Sequence, residues 1–401
     1  MPHRLYPAHF HAVADALHAI FTEGAYADRE IARVLKADKR RGSRDRAFIA
    51  ETTYGVVRYY RLLTYLTGST PRKPAEWWPV IGAYLWTNAA SLPDWTEFKS
   101  LRPEELSARL AEANEQLPLR ESIPDWLDAT GRAQLGEATW PPTVEALNEQ
   151  APVVLRANRL KTDPTALSAA LARENIGTEP IAADALRVTE RRNLFATSAF
   201  KRGLFELQDF SSQQAAPALQ VAPGMTVIDA CAGAGGKSLH LAALMENRGK
   251  LLSLDIHAWK LEELKKRARR AGVSNHETRP ITTTKVVKRL TDRADRVLLD
   301  VPCSGLGVLR RNPDAKWKLS PEFIDRVVAE QADILRRYSR MVKPGGKLVY
   351  ATCSILPREN DDQVTAFLSS EAGTGWTLED KRTYLPQEGF DGFFVSRLAR
   401  T

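Results

Sequence analysis

Cysteine is scarce in this sequence: three among 401 residues, Cys231, Cys303 and Cys353, all in the C-terminal half. Three thiols cannot make a disulfide framework, and without a neighbouring histidine cluster they cannot build a structural zinc site. Long apolar runs are missing as well. The most apolar N-terminal stretch, Trp77 to Trp86, is interrupted by Pro79 and Gly82 and falls far below the ~20 apolar residues of a spanning helix. The start, MPHRLYPAHFHAVADALHAIF, lacks the continuous apolar run of a secretory signal, so a cytoplasmic location and no membrane partner are expected. No internal repeat or low-complexity segment is visible. What is present is an ordinary globular composition, 43% hydrophobic and 26% charged, in a chain long enough for two or three domains. Lys+Arg exceed Asp+Glu by 57 to 49, a net charge of +8. That balance favours a polyanionic partner without identifying one.

Residues 1–145 read as helical. In Ser43–Thr67, Phe48, Thr52, Val56, Tyr59 and Leu63 recur at three- and four-residue steps, one helical face. Further helical patterns cover Ala8–Phe21, Trp78–Leu92, Pro103–Ala113 and Glu121–Arg132, and no alternating strand stands out. Six of the nine tryptophans lie in this region, where core packing is the expected role. The run WPPTVEAL at 140–147 breaks the pattern and predicts a linker. Residues 146–215 form a short α+β stretch: strand-like 153–160, a helix over 163–175 capped by Asp163, then strand-like 185–190 and 203–209. From 216 to 401 the rhythm changes to apolar strands (225–230, 250–255, 296–301, 347–353) alternating with helices (237–245, 258–270, 321–341). This predicts a parallel, doubly wound α/β sheet.

The strand ending at Asp229 runs directly into Cys231-Ala232-Gly233-Ala234-Gly235-Gly236-Lys237. A glycine-rich loop between strand and helix lets the backbone approach a ligand and offers amide groups at a helix N-terminus. A nucleotide P-loop needs glycine where Cys231 stands. A dinucleotide fingerprint needs a third glycine where Ser238 stands. S-adenosylmethionine (AdoMet), bound in the same crevice with a looser glycine pattern, is the cofactor that remains. Asp255, closing the next strand, suits its ribose hydroxyls.

Two cysteines sit immediately after strands, in Asp300-Val-Pro-Cys303-Ser-Gly305 and Ala351-Thr-Cys353-Ser354. Ligands of doubly wound sheets bind beyond the carboxyl ends of the strands, where two adjacent ends bring two thiols into one crevice. Carbon 5 of cytosine is too weak a nucleophile to attack a methyl sulfonium. Thiolate addition at carbon 6 makes it an enamine carbon, and an acid near ring N3, for which Asp300 is placed, favours the addition. A base then removes the carbon-5 proton and the thiol is eliminated, a step that a second thiol assists.

These blocks resemble the RNA cytosine-5 methyltransferases, the family of the bacterial Sun/Fmu ribosomal RNA enzymes and the Nop and NSUN proteins. The likeness covers residues 150–401. It rests on Gln208-Asp209 with Ser212-Gln213, on Asp229–Lys237, and on Asp300–Gly305 followed by GVLRRNPDAKWK. Tyr350–Ser354 followed by ILPRENDDQV, and DGFF at 391–394, complete it. The resemblance implies a class I (Rossmann-like) AdoMet-dependent methyltransferase domain at 216–401, a small RRM-like RNA-binding subdomain at 146–215 and an all-α NusB-like RNA-binding domain at 1–145. It implies Cys353 as nucleophile and Cys303 as the thiol that assists release, whereas a Pro-Cys pair alone would favour Cys303 as the attacker. Small-subunit ribosomal RNA is the first expected substrate and transfer RNA the second, for a monomer. Two departures stand out: Gly233-Ala234 replaces the family's Ala-Pro, and the stretch 278–286 lacks the acid that faces adenine. Among the basic runs, Lys36–Arg46 and Lys260–Arg270 are candidates for phosphates, the second more as a solvated face. Arg310, Arg311 and Lys316 are the expected RNA contacts beside the target base. A methyltransferase for another acceptor has no use for a thiol nucleophile, and a non-catalytic RNA-binding assembly factor has no use for two thiols beside a methyl-donor loop.

Overall fold

The computed structural model describes residues 5–401. The first four residues of the start, read above for a signal, lie outside them. The chain divides into two compact units. One comprises residues up to Glu149 together with Leu309–Ser320, and the other Gln150–Val308 with Pro321–Thr401.

The first unit is helical, as its periodicity predicts. Helices Pro7–Thr22, Ala27–Ala37, Ser43–Arg58, Tyr60–Thr67, Trp77–Thr87 and Pro103–Asn114 surround a core of Phe10, Leu17, Ile49, Leu63, Trp77 and Ile81. Phe10 stacks on Trp78 at 5.2 Å, so these aromatics serve packing. The expected linker at 140–147 is instead the helix Trp140–Asn148. Its prolines stand in the first turn, where no amide hydrogen is needed and the fixed φ suits the helix. The second correction concerns Leu309–Ser320, expected inside the methyltransferase domain. The Trp317 indole donates to Val57 O at 2.7 Å and its ring meets Tyr60 edge-on, which makes the segment part of the helical core.

The second unit contains two sheets. In the first, β1 (Val154–Ala157), β2 (Thr178–Pro180), β3 (Ala185–Val188) and β4 (Phe205–Leu207) pair antiparallel in the order β2-β3-β1-β4. One face, with Leu155, Ala157 and Phe205, packs on Leu167 and Leu171 of the helix Pro164–Ala172. On the other face Arg156 lies opposite Glu206, and both are buried, Glu206 against arginines of the helix Ala258–Ala271. On that face the β1–β4 side is therefore covered by the protein itself, while Arg187 and Glu179 at the β2–β3 side stay exposed.

The second sheet runs β10-β11-β9-β8-β5-β6-β7. Here β5 (Thr226–Asp229), β6 (Lys250–Asp255), β7 (His276–Pro280), β8 (Ala294–Asp300) and β9 (Val342–Thr352) are parallel. The two strands at one end, β10 (Trp376–Tyr384) and β11 (Phe393–Arg400), are antiparallel, so the expected parallel sheet is extended into a mixed one. Val227, Leu252, Leu254, Val297, Leu299, Leu348 and Tyr350 are buried at its centre, under helices on both faces. This Rossmann-like layering brings the ends of β5, β6, β8 and β9 to one rim.

Candidate active site

The rim between β5 and β6 holds a cavity of about 570 Å³ lined by Ala230, Cys231, Asp255, Ile256, Thr282 and Tyr338 among others, a volume that suits a cofactor-sized ligand. Asp255 shapes it. One carboxylate oxygen accepts from Gly233 N at 2.8 Å and the other from His257 N at 2.7 Å. The loop glycines are conformational necessities: Gly233 and Gly235 have φ of +53° and +89°, and a Cβ on Gly235 would lie 2.3 Å from Leu264. The helix Gly236–Leu244 starts there, its first amides unspent within the helix.

Asp229 is buried behind this loop. Its Oδ2 accepts from the Ser238 hydroxyl at 2.6 Å, while Oδ1 has no hydrogen-bond partner. Burial pushes the carboxyl up to about 7. A buried acceptor left unmatched beside a glycine loop is costly unless a ligand brings a donor. AdoMet carries such a donor in its ammonium group, so these residues fit it. No acid stands at the end of β7; on that side the cavity is lined by Thr282 and Thr283, and carboxylates come from Glu330 and Asp333 of the helix Pro321–Tyr338. Cys231 lines the cavity with its thiol pushed well up by burial, which makes it unreactive.

The loop is also held from behind by residues that sequence patterns did not single out. Arg156 of β1 donates to Gly236 O at 2.7 Å, and Arg267 donates to Ala234 O at 2.9 Å. Glu206 of β4 accepts from Arg267 at 2.8 Å and also from Arg270. Two guanidinium groups thus grip the loop carbonyls where the family proline is absent. The signal was present only as the charge run Lys260–Arg270, whose Arg267 and Arg270 prove to be structural.

The neighbouring strand ends carry the thiols. β8 and β9 are paired in parallel with Asp300 opposite Ala351, so Cys303 and Cys353 emerge side by side, their sulfurs 3.2 Å apart. The hydrogen bond to Cys353 and burial hold the Cys303 thiol well above its usual range. Either thiol can donate to the other across this distance. Asp300 accepts from Lys237 Nζ at 2.6 Å, and that ammonium also lies 5.1 Å from the centre of the Phe393 ring. Close backbone packing seats Cys353: Gly307 N donates to Cys353 O at 2.9 Å and Gly392 N to Gly307 O at 2.8 Å. A Cβ on Gly392 would lie 2.4 Å from Ile355 Cγ2 and 2.7 Å from Gly307 Cα, which explains the glycine of DGFF. Asp209 accepts from Asp391 N, tying the Gln208-Asp209 block to the same place.

The structure does not bring every expected residue to this rim. Arg310 is buried in the helical unit and donates to Ala146 O at 2.8 Å. Lys316 is 2% exposed, 3.3 Å from Asn148 Oδ1, and burial pushes its ammonium well below the usual lysine range. Neither can reach a phosphate, so both are corrected from RNA contacts to internal anchors; Arg311 is half-buried. Among the described residues there is no group of three His, Cys, Asp or Glu able to hold a metal ion, and no helix long and apolar enough to cross a membrane.

Comparison with known proteins finds relatives of this chain. A family model described as 16S rRNA methyltransferase RsmB/F matches residues 216–399, and the ferredoxin-like domain model of RsmF/B-like methyltransferases matches 123–194. The probable ribosomal RNA small subunit methyltransferase B of Synechocystis sp. is 33% identical over 298 residues, 70% of this chain and 67% of the relative. That of Bacillus subtilis is 35% identical over 265 residues, 61% of this chain and 59% of the relative. The crystal structure of PH0851 superposes with a TM-score of 0.80 at 23% identity, covering 99% of each chain.

Proposed function

The chain belongs to the RsmB/F family of AdoMet-dependent RNA methyltransferases, and we propose that it methylates carbon 5 of a cytosine in small-subunit ribosomal RNA through a covalent Cys353 adduct. The observation that carries this reading is the pair of thiols 3.2 Å apart, one and two strands over from the glycine loop. Only a mechanism that adds and then expels a sulfur nucleophile uses both.

Bound AdoMet supplies an electrophilic methyl group on a sulfonium. Asp229 and the loop Cys231–Lys237 hold its amino-acid end, Asp255 its ribose, and Asp300 borders both cofactor and base. The cytosine must be unstacked to enter, so the substrate is single-stranded or flipped. The Cys353 sulfur adds to carbon 6 as a thiolate. Asp300, in its protonated form and released from Lys237, donates its proton to ring N3, where the addition places negative charge. Once carbon 5 carries the methyl group, a base takes its proton. The C5–C6 double bond re-forms, and the C6–S bond breaks with its electron pair returning to the Cys353 sulfur. Cys303, its sulfur 3.2 Å away, donates a hydrogen bond to that departing thiolate.

Phosphate contacts are supplied by exposed cations of the helical unit: Lys36, Lys39, Arg40 and Arg44 line the turn between its second and third helices. The chain acts as a monomer. With AdoMet and small-subunit ribosomal RNA, Cys353→Ala abolishes carbon-5 methylation; retained methylation overturns the nucleophile. Cys303→Ala accumulates a covalent protein–RNA adduct, and an adduct-free, fully active variant overturns its release role. Bisulfite sequencing of RNA from cells with and without the gene locates the cytosine, and a site in transfer RNA would replace the ribosomal substrate.

A further inference from the structure

Each residue flanking the two thiols is held by one short segment and one helix. Next to Cys303, Ser304 donates through its amide to Glu359 Oε2 at 2.8 Å and through its hydroxyl to Glu359 Oε1. Next to Cys353, the Ser354 hydroxyl donates to the same Oε1. Gln331, on the helix Pro321–Tyr338, spans Glu359 Oε2 at 3.0 Å and Pro302 O at 2.9 Å. Asn360 completes the set: its amide donates to Ser354 O at 3.0 Å and its oxygen accepts from Thr352 Oγ1. Glu359 is fully buried, and its backbone oxygen accepts from the Tyr350 hydroxyl at 2.6 Å. Its two carboxylate oxygens thus gather four donors from three elements, two of them the serines that follow the thiols.

We propose that Glu359 is the positioning residue of the thiol pair, fixing the separation of Cys303 and Cys353 and through it the release of the methylated RNA. Neither loop is regular secondary structure, and although the backbone bond from Gly307 N to Cys353 O joins them at one point, the sheet ladder beyond β8 and β9 does not set the spacing of the two side chains. The carboxylate does, because Ser304 and Ser354 converge on one oxygen and their hydroxyls stand 3.2 Å apart, the same spacing as the sulfurs one residue earlier. A sulfur donor loses its acceptor when the gap widens by roughly an ångström, since hydrogen bonds weaken steeply with distance. The addition at carbon 6 needs only the Cys353 sulfur, whereas expulsion also needs Cys303 in reach. Loss of the clamp therefore acts on release before it acts on transfer. An amide in place of the carboxylate fills the same space but turns an N–H toward donors, so Glu359→Gln tests the clamp without opening a cavity.

The inference rests on the cytosine-5 reading, and two measurements on the full chain separate their fates. The first is single-turnover methyl transfer to small-subunit ribosomal RNA, read beside the amount of denaturation-resistant protein–RNA adduct. Glu359→Gln is expected to keep transfer within about tenfold of the wild type, to slow steady-state turnover at least tenfold and to accumulate the adduct, as Cys303→Ala does. The second is capture by phenylarsine oxide, which bridges only neighbouring thiols and needs neither RNA nor AdoMet. Capture is expected to weaken about tenfold in Glu359→Gln. Ser304→Ala and Ser354→Ala each remove one arm and show the same trend more weakly, which keeps the test open where Glu359→Gln does not fold. A Glu359→Gln chain that matches the wild type in capture and in adduct overturns the inference. A wild-type chain that binds the arsenical but forms no adduct with RNA overturns the cytosine-5 reading instead.

Discussion

Two buried carboxylates lie behind the two halves of this site, and they are equipped in opposite ways. Glu359, behind the thiols, receives four hydrogen bonds on its two oxygens. Asp229, behind the glycine loop, receives one side-chain bond from Ser238 and leaves Oδ1 without a partner. Both are shielded from water, so burial does not distinguish them; satisfaction does. A saturated carboxylate is part of the scaffold and holds protein to protein. An unsatisfied one stores a penalty that a donor from outside removes. The loops in front follow suit. The thiol loops are gripped from inside by Glu359, while the glycine loop is gripped from behind by Arg156 and Arg267, leaving its inner side for ligand.

The largest way to break this contrast is to unpair the arginines behind the glycine loop. Glu206→Ala leaves Arg267 and Arg270 without their shared carboxylate in a buried setting and should cost about 3–5 kcal/mol in denaturant unfolding. AdoMet affinity should fall with it, and a cost like that of a surface pair, under about 1 kcal/mol, would refute the loop's dependence on them.

Next comes the pH response of Asp229. Its carboxyl titrates near 7 in the folded chain against an ordinary 3.8, so the folded state binds a proton that the unfolded state has released. Stability of the ligand-free chain should fall as pH rises from about 4 through about 7, by on the order of 3–4 kcal/mol. AdoMet, bringing a donor for the ionised form, should bind more tightly across the same interval. Thermal melts from pH 5 to 8 check the first, calorimetric titration the second, and Asp229→Asn should flatten both curves. Smaller still is Ser354→Ala, which leaves Glu359 three donors and should cost about 1 kcal/mol in equilibrium unfolding. The smallest effect belongs to Lys316→Met, away from both carboxylates. The salt slope of RNA binding should stay unchanged there, while Arg44→Ala should reduce it by about one unit.

The parallel strands were legible because β5, β6, β8 and β9 are apolar on both faces, and the thiols were legible because strand ends of such sheets are where ligands bind. The edge strand β10 was not. Its sequence, WTLEDKRTY, is exposed along most of its length and carries no apolar alternation for periodicity to find. Arg310 and Lys316 were misread because charge predicts exposure, and their burial depends on Ala146 and Asn148, far away in the sequence. Glu206 and Gln331 were invisible for a related reason: each is one polar residue among many, and only the partners that converge on it reveal its role. Glu359 sat inside a recognised block, yet its position beside a motif did not say which atoms it holds.

The exchange of Leu309–Ser320 into the helical unit has a temporal consequence during synthesis. The N-terminal run of helices of that unit ends at Asn148, but Trp317, which packs on Tyr60 and donates to Val57, leaves the ribosome only after about 170 further residues. At ~5–20 residues per second the helices wait roughly ten to thirty seconds for that indole. Through this interval the nascent N-terminal half carries an unfilled apolar seat, and its completion is a late checkpoint, reached only after the strand that leads to Cys303 has been made.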